Sequence, residues 1–175
     1  HNIVGEPGEG WKVAMGTLAF ERGALTLGQQ AAFEHEFHEI CADARRTGRW
    51  DDPSLRQQLA SLWVRLRIMR WNSVRSLGVA ESGELMPEAM IHKLYWAGLH
   101  RDMGEAAMDA LGPEATLTPY GRADNTHDAD EMEAAHRLFF FTRSDTIYGG
   151  SNQIQRNVIG ERALGLPREP RPPAR

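Results

Sequence analysis

The 175-residue chain has a single cysteine, Cys41, so it cannot close an internal disulfide and holds no CxxC pair for a metal. A reducing, cytoplasmic setting is the easier expectation. No apolar run approaches the roughly 20 residues that a membrane helix needs, and no signal peptide precedes the first elements, so the chain reads as soluble, with no membrane insertion. Positive charge is not in excess either. The formal net charge is −4, and the local density at Arg45, Arg46 and Arg49 does not make the overall basic field that nucleic-acid binding requires. Alternating β-branched runs flanked by hairpin turns are missing, as is any repeat of fixed period, which removes sheets and solenoids from consideration. There is no initiator methionine, and residues 1–8 read as a strand end entering a turn; the gene product is expected to extend upstream. What remains is 41% hydrophobic content, enough for one core and one domain.

The residues present speak for helices. After the glycine-rich turn from Gly5 to Gly10, a proline-free stretch from about Trp11 to Arg46 carries Leu18, Leu25, Phe33, Phe37 and Ile40 at mostly helical spacings, and predicts one long helix. Thr47-Gly48 ends it. Asp52-Pro53 then supplies an acidic cap with proline at the first helical position. Leu55, Leu59, Leu62, Leu66 and Met69 follow in steps of four, three, four and three, the seam of a bundle helix. Gly78 and Gly83 bracket the next break. Pro87 is expected to open a third helix that turns Ile91, Leu94, Met108 and Leu111 inward, gives Arg101 and Asp102 to its polar side, and stops at Gly112-Pro113. A fourth is expected from Asp128 to about Arg143, with three consecutive phenylalanines, residues 139–141, buried on several sides. Tyr148-Gly149-Gly150 breaks the chain again. Ser151 or Asn152 can cap a final short helix, and Asn152 with Gln155 resembles a capping box. The predicted architecture is all-α: an antiparallel four-helix bundle plus a short C-terminal helix over residues 1–166, with a proline-rich tail over 167–175.

Several patterns have ordinary explanations. His35 and His38 are three residues apart and lack the i, i+4 face of a zinc helix, and Glu133 with His136 has no second ExxH to complete a di-iron cage, so no metal is expected. Arg65, Arg67, Arg70 and Arg75, with Trp63 and Trp71 between them, read as a solvated or intersubunit face. Two segments are less ordinary. In Leu18-Ala19-Phe20-Glu21-Arg22-Gly23, two charges sit on an otherwise apolar helix beside a glycine that permits close approach. In the stretch from Thr146 to Asn157, a glycine turn feeds a capped helix start whose free N–H groups face outward.

That second segment, Ile147-Tyr148-Gly149-Gly150-Ser151-Asn152-Gln153-Ile154-Gln155-Arg156, resembles the acyl-CoA dehydrogenase signature, whose usual form is Ile-Tyr-Glu-Gly-Thr, two polar residues and Ile-Gln-Arg. The opening Val4-Gly5-Glu6-Pro7-Gly8-Glu9-Gly10-Trp11 resembles the family's passage from its β domain into the helical C-terminal domain, and Leu111-Gly112-Pro113 sits where the family has a Leu-Gly-Gly turn. The resemblance spans the chain up to its proline tail.

It implies an FAD-dependent enzyme that converts an acyl-CoA to a trans-2-enoyl-CoA in fatty-acid β-oxidation or related lipid metabolism. Such an enzyme passes electrons to an electron-transferring flavoprotein and works as a homo- or hetero-oligomer, a dimer or tetramer, the homotetramer being common. The carboxylate that usually removes the α-proton follows the signature Tyr, where this chain has Gly149. Members that place the base on the first helix, immediately before an Arg, match Glu21-Arg22, which makes Glu21 the candidate base. Desolvation in a dry cleft would raise its pKa towards working pH. The Gly149 N–H is implied in the oxyanion hole. Ser151 and Gln153 are implied as FAD contacts, and Tyr148 and Arg22 as substrate contacts. The family's Arg-x-x-Phe-Gly element, which reaches FAD in a neighbouring subunit, is replaced here by residues 46–51, leaving Arg49 and Trp50 as its candidates. Asp109 and Pro113 replace a Gln and a Gly that help to hold the diphosphate. A catalytically silent partner subunit or assembly domain of a hetero-oligomer is the alternative expectation, and the isolated fragment is expected to be inactive.

Overall fold

The computed structural model of the protein describes residues 3–20, 26–77, 90–117 and 133–168, and every regular element among them is helical. A turn with Gly5 and Gly8 in the left-handed region leads into α1 (Gly10–Phe20). Then come α2 (Thr26–Arg46), α3 (Pro53–Leu77), α4 (His92–Leu111), α5 (Ala134–Asp145) and the short α6 (Asn152–Val158). The last of these widens into a π-helical turn over Ile159–Ala163. The single long helix expected from Trp11 to Arg46 is thus represented by α1 and α2. Residues 21–25 between them, including Glu21 and Arg22, lie outside the described residues, as does most of the proline-rich tail.

Local chemistry accounts for the boundaries. Asp52 Oδ1 accepts from the Ser54 and Leu55 N–H groups at 2.9 and 3.4 Å, which caps α3 directly ahead of Pro53. Gly48, at φ 76°, turns the chain out of α2, and Gly112, at φ 61°, turns it out of α4.

The bundle's directions follow from its cross-helix contacts. Lys93 at the start of α4 meets Asp145 at the end of α5, and His136 near the start of α5 meets the Ala115 carbonyl beyond α4, so these two helices are antiparallel. Phe37 stacks on Trp63, and Glu34 pairs with Arg67 and Arg70, which opposes α2 to α3. Along α2 and α4, Phe33 meets Trp96, Glu36 meets His100 and Thr47 meets the Ala110 carbonyl; these two run parallel, as alternate members of an up-down bundle must.

The seam of α3 is as its spacing predicts: Leu55, Leu59, Leu62, Leu66 and Met69 are all buried. The seam of α4 differs. Ile91 is exposed and Leu94 and Met108 only half-buried, while Trp96, Ala97, Leu99, Met103, Ala106, Ala107 and Ala110 form the core. Small residues let α5 approach closely. The expected burial of all three phenylalanines is corrected as well: Phe139 is half-buried, whereas Phe140 and Phe141 are exposed. At about 100° per residue, three consecutive side chains cannot share one buried face.

Gly104 marks the tightest approach. A Cβ there would stand 2.6 Å from Thr142 Oγ1 and 3.1 Å from the Phe139 Cα, and the latter, being backbone, cannot rotate away. Gly104→Ala is therefore predicted to push α5 off α4 and to cost about 1–3 kcal/mol of stability despite alanine's better helix propensity. Denaturant unfolding checks this; a stabilised variant would contradict the packing.

Candidate active site

The segment between α5 and α6 is a turn held from both sides. Asp145 closes α5; the Ile147 and Tyr148 N–H groups return to the Ser144 carbonyl, and the Asn152 N–H reaches the Thr146 carbonyl at 3.2 Å. The Gly149 N–H takes no part in these bonds. Gly149 and Gly150 have φ values of 63° and 98°, a region that side chains other than glycine's occupy only at a cost. Gln155, fully buried on α6, reaches back and donates to the Gly149 carbonyl at 2.8 Å. A Cβ on Gly150 would stand 2.7 Å from that same amide nitrogen, so the second glycine is required for Gln155 to reach. Ser151 is the cap of α6, its Oγ accepting from the Ile154 N–H at 3.4 Å. The cap is thus Ser151, and Gln155 serves the turn rather than a capping box.

Beneath the turn lies a polar cluster in an otherwise apolar core. His100 Nδ1 is 2.6 Å from Asp145 Oδ2 and its Nε2 is 2.9 Å from Glu36 Oε2, so one ring joins α2 and α5 through α4. Asp145 is completely buried, and His100 is 5% exposed. The Lys93 ammonium, also buried, donates to the Asp145 carbonyl and sits 4.9 Å from the Trp96 ring centre and 5.3 Å from that of Tyr148. Phe33 stacks on the His100 ring at 3.9 Å, tilts against Trp96, and Trp96 in turn meets Tyr148. An aromatic path therefore connects α2 to the turn alongside the charged one.

Electrostatics decide the state of His100. Burial disfavours the imidazolium, but its hydrogen bonds to Asp145 and Glu36, together with their charges, outweigh it and hold the His100 pKa above its ordinary value. Two ionised carboxylates are matched at both ring nitrogens only by the cation, in which both nitrogens donate. A fully buried Asp145 carboxylate without that cation would face a penalty of several kcal/mol.

The residues proposed for a cofactor fall into two groups. Tyr148, Gly149, Ser151 and Gln153 belong to the turn and the start of α6; Tyr148 and Gln153 are exposed. Arg49 and Trp50 lie at the other end of α4, on a short 3-10 turn over Arg49–Asp51. The Arg49 stem occupies the space beside Gly112, where a Cβ would meet its Cδ at 2.8 Å. Its guanidinium is bound to Asp52 at 3.1 Å, while its Nε is buried with no hydrogen-bond partner among the described residues. Arg45 covers the Trp50 ring at 4.0 Å. Lys93, beside the turn, and Gly112, beside Arg49, are nineteen residues apart along α4 and its cap, about 28 Å at helical rise. One chain does not bring the two groups together. The orphaned Arg49 N–H fits an anion such as a diphosphate, and the turn offers a peptide N–H and a serine hydroxyl still able to donate. Of the arginines on α3, Arg65 pairs with Asp102 at 2.7 Å, and Arg67 and Arg70 pair with Glu34.

Sequence reasoning missed Lys93, His100, Asp145 and Gln155. Lys93, Trp96 and His100, at i, i+3 and i+7 of α4, placed two polar residues on its buried stripe, a signal that could have flagged them.

Residues 8–164 match the sequence model of the acyl-CoA dehydrogenase C-terminal domain. Acyl-CoA dehydrogenase IpdE1 of Mycolicibacterium smegmatis is 46% identical over 167 residues, covering 95% of this chain and 39% of the relative. Among solved structures, the ChsE4-ChsE5 complex from Mycobacterium tuberculosis superposes with a TM-score of 0.72 at 26% identity, covering 95% of this chain and 43% of that one. The Tcur3481-Tcur3483 steroid ACAD does so with a TM-score of 0.72 at 25% identity, over 95% and 42%. The chain thus spans about two fifths of the length of the relatives it matches.

The raised His100 pKa carries a definite sign. Its contribution to stability is fully present below the unfolded value of about 6.5 and is lost as pH rises through the higher folded value. Melting temperature is predicted to decline as pH rises through that window in the wild-type protein and to lose the decline in His100→Gln; parallel pH profiles for the two would contradict the assignment.

Proposed function

The chain belongs to the acyl-CoA dehydrogenase family, as its C-terminal helical domain, and on that premise we propose that it is the bundle of an FAD-dependent subunit that desaturates an acyl-CoA thioester to its trans-2-enoyl form. The observation that carries the reading is the Tyr148–Ser151 turn. Two left-handed glycines and the buried Gln155 fix its peptide groups while the Gly149 N–H stays out of the turn's own hydrogen bonds. A preorganised donor of this kind lowers the energy of an enolate as charge moves onto the thioester oxygen.

The turn has no carboxylate, so the α-proton must go elsewhere. Glu21 is proposed to take it. In support, the chain leaves residues 21–25 into α2, whose Phe33 and Glu36 already pack beneath the turn; the first part of α2 and the turn occupy the same end of the bundle. Tyr148 and Arg22 would contact the substrate. FAD, when bound, supplies the two-electron acceptor for hydrogen leaving the β carbon, and an electron-transferring flavoprotein would reoxidise it. Ser151 and Gln153 would hold one flavin and Arg49 and Trp50 a second, since about 28 Å separates the groups. That separation favours an oligomer in which each site draws on two chains.

The two-component titles of the structural relatives favour a hetero-oligomer, and the steroid named in one of them makes a thioester on a steroid side chain the first substrate class to try. They also favour a second reading, in which this subunit is catalytically silent and its partner supplies the base. One experiment separates the two. In the full-length assembly with FAD bound, Glu21→Gln is predicted to lower turnover by roughly 100-fold or more, the contribution of a general base; unchanged turnover would move the base to the partner.

A further inference from the structure

The charged cluster under the turn is absorbed by no step proposed so far, and its position relative to the turn is specific. Asp145 is the last residue of α5, four residues before Gly149, and its backbone carbonyl is itself held by Lys93. Its carboxylate is fully buried, with one oxygen bonded to His100 and the other, Oδ1, without a hydrogen-bond partner among the described residues. The position of this end of α5, and of the turn that leaves it, therefore depends on the His100 ring at the Asp145 side chain as well as on Lys93 at its carbonyl. That ring is anchored in turn to α2 through Glu36, which is partly exposed and lines a cavity of about 470 Å³ between α2 and α5. Protons can thus reach the cluster from solvent on the Glu36 side.

From this geometry we infer that His100 is a positioning residue for the reactive turn: bridging Glu36 and Asp145, it sets where the Gly149 N–H stands, and loss of its proton releases the turn. The inference rests on the dehydrogenase reading only for its catalytic consequence, not for the movement itself.

The surrounding charges are consistent with a titrating centre. On α2, Glu36 touches the ring, with His35, Glu39 and Asp43 along the cavity; on α5, Asp145 touches it and Arg137 lies across the cavity. Lys93 is two turns earlier on α4, and α3 presents buried Leu66 and Met69 to the core, its Arg65 already taken by Asp102. Carboxylates hold both ring nitrogens. Raising the pH through the His100 pKa would leave one ring nitrogen without a proton, facing a carboxylate.

The test uses the full-length assembly with FAD bound, reading both hydrogen–deuterium exchange of a peptide spanning residues 146–151 and steady-state kinetics with acyl-CoA. At pH 6.5, His100→Gln is expected to exchange about tenfold faster than wild type across that peptide. Its kcat should fall about tenfold or more, with KM changed by less than about threefold and FAD retained. Glu36→Gln keeps an acceptor but removes a charge, and it should move the pH at which the wild-type turn loosens downward by about one unit. A histidine that only supported global stability would loosen the whole bundle together rather than residues 146–151 alone. Exchange over residues 146–151 that is the same in all three proteins, or a Glu36→Gln profile that loosens at the wild-type pH, would overturn the inference. Should exchange respond as described while wild type desaturates no acyl-CoA, the positioning role stands and the dehydrogenase reading fails; an active wild type with unmoved exchange gives the reverse.

Discussion

The bundle is organised around one buried ring. His100 on α4 is the only group through which the Glu36 carboxylate of α2 and the Asp145 carboxylate of α5 are joined, among the described residues, and Asp145 has no exposure to water. Burying a carboxylate is tolerable only with a partner of opposite charge and good geometry, so the ring, its proton and both acids stand or fall together. Close to that point lie the end of α5, the glycine turn, and the aromatic path from Phe33 through Trp96 to Tyr148.

A second constraint is length. The turn and the Arg49 corner sit near opposite ends of α4, and a rigid helix of this size keeps them roughly a flavin's length or more apart. Two chemistries therefore coexist on one domain without competing. At the turn, a peptide donor stands next to an acidic and aromatic core; at the Arg49 corner, an arginine leans over Gly112 with an N–H that has no partner among the described residues. Neither makes a complete site alone, which agrees with a domain that spans two fifths of its relatives' length.

How much of this could be read from the sequence depends on what held each element. The α3 seam was fully legible because five large apolar residues recur on one stripe, and Asp52-Pro53 announced its start in local chemistry. The α4 seam was not, because alanines and Gly104 make the contact with α5, and small residues carry little signal in a hydrophobic pattern. Tyr148 to Ser151 was legible as a turn, since consecutive glycines ahead of a serine cap have few other uses. Its lock was not: Gln155 looked like half of a capping box, and the partners of His100 lie 64 and 45 residues away along the chain, beyond any local rule. Glu21 and Arg22 stood out as charges on an apolar stretch, their roles came only through family resemblance, and they fall outside the described residues.

His100 is predicted to be a cation that donates to two acids. Neutron diffraction from crystals of the full-length assembly grown near neutral pD addresses it directly, because it locates deuterium on each ring nitrogen. Deuterium on both Nδ1 and Nε2, directed at Asp145 and Glu36, is the predicted result. A neutral ring with one bare nitrogen, and deuterium on either carboxylate instead, would contradict it.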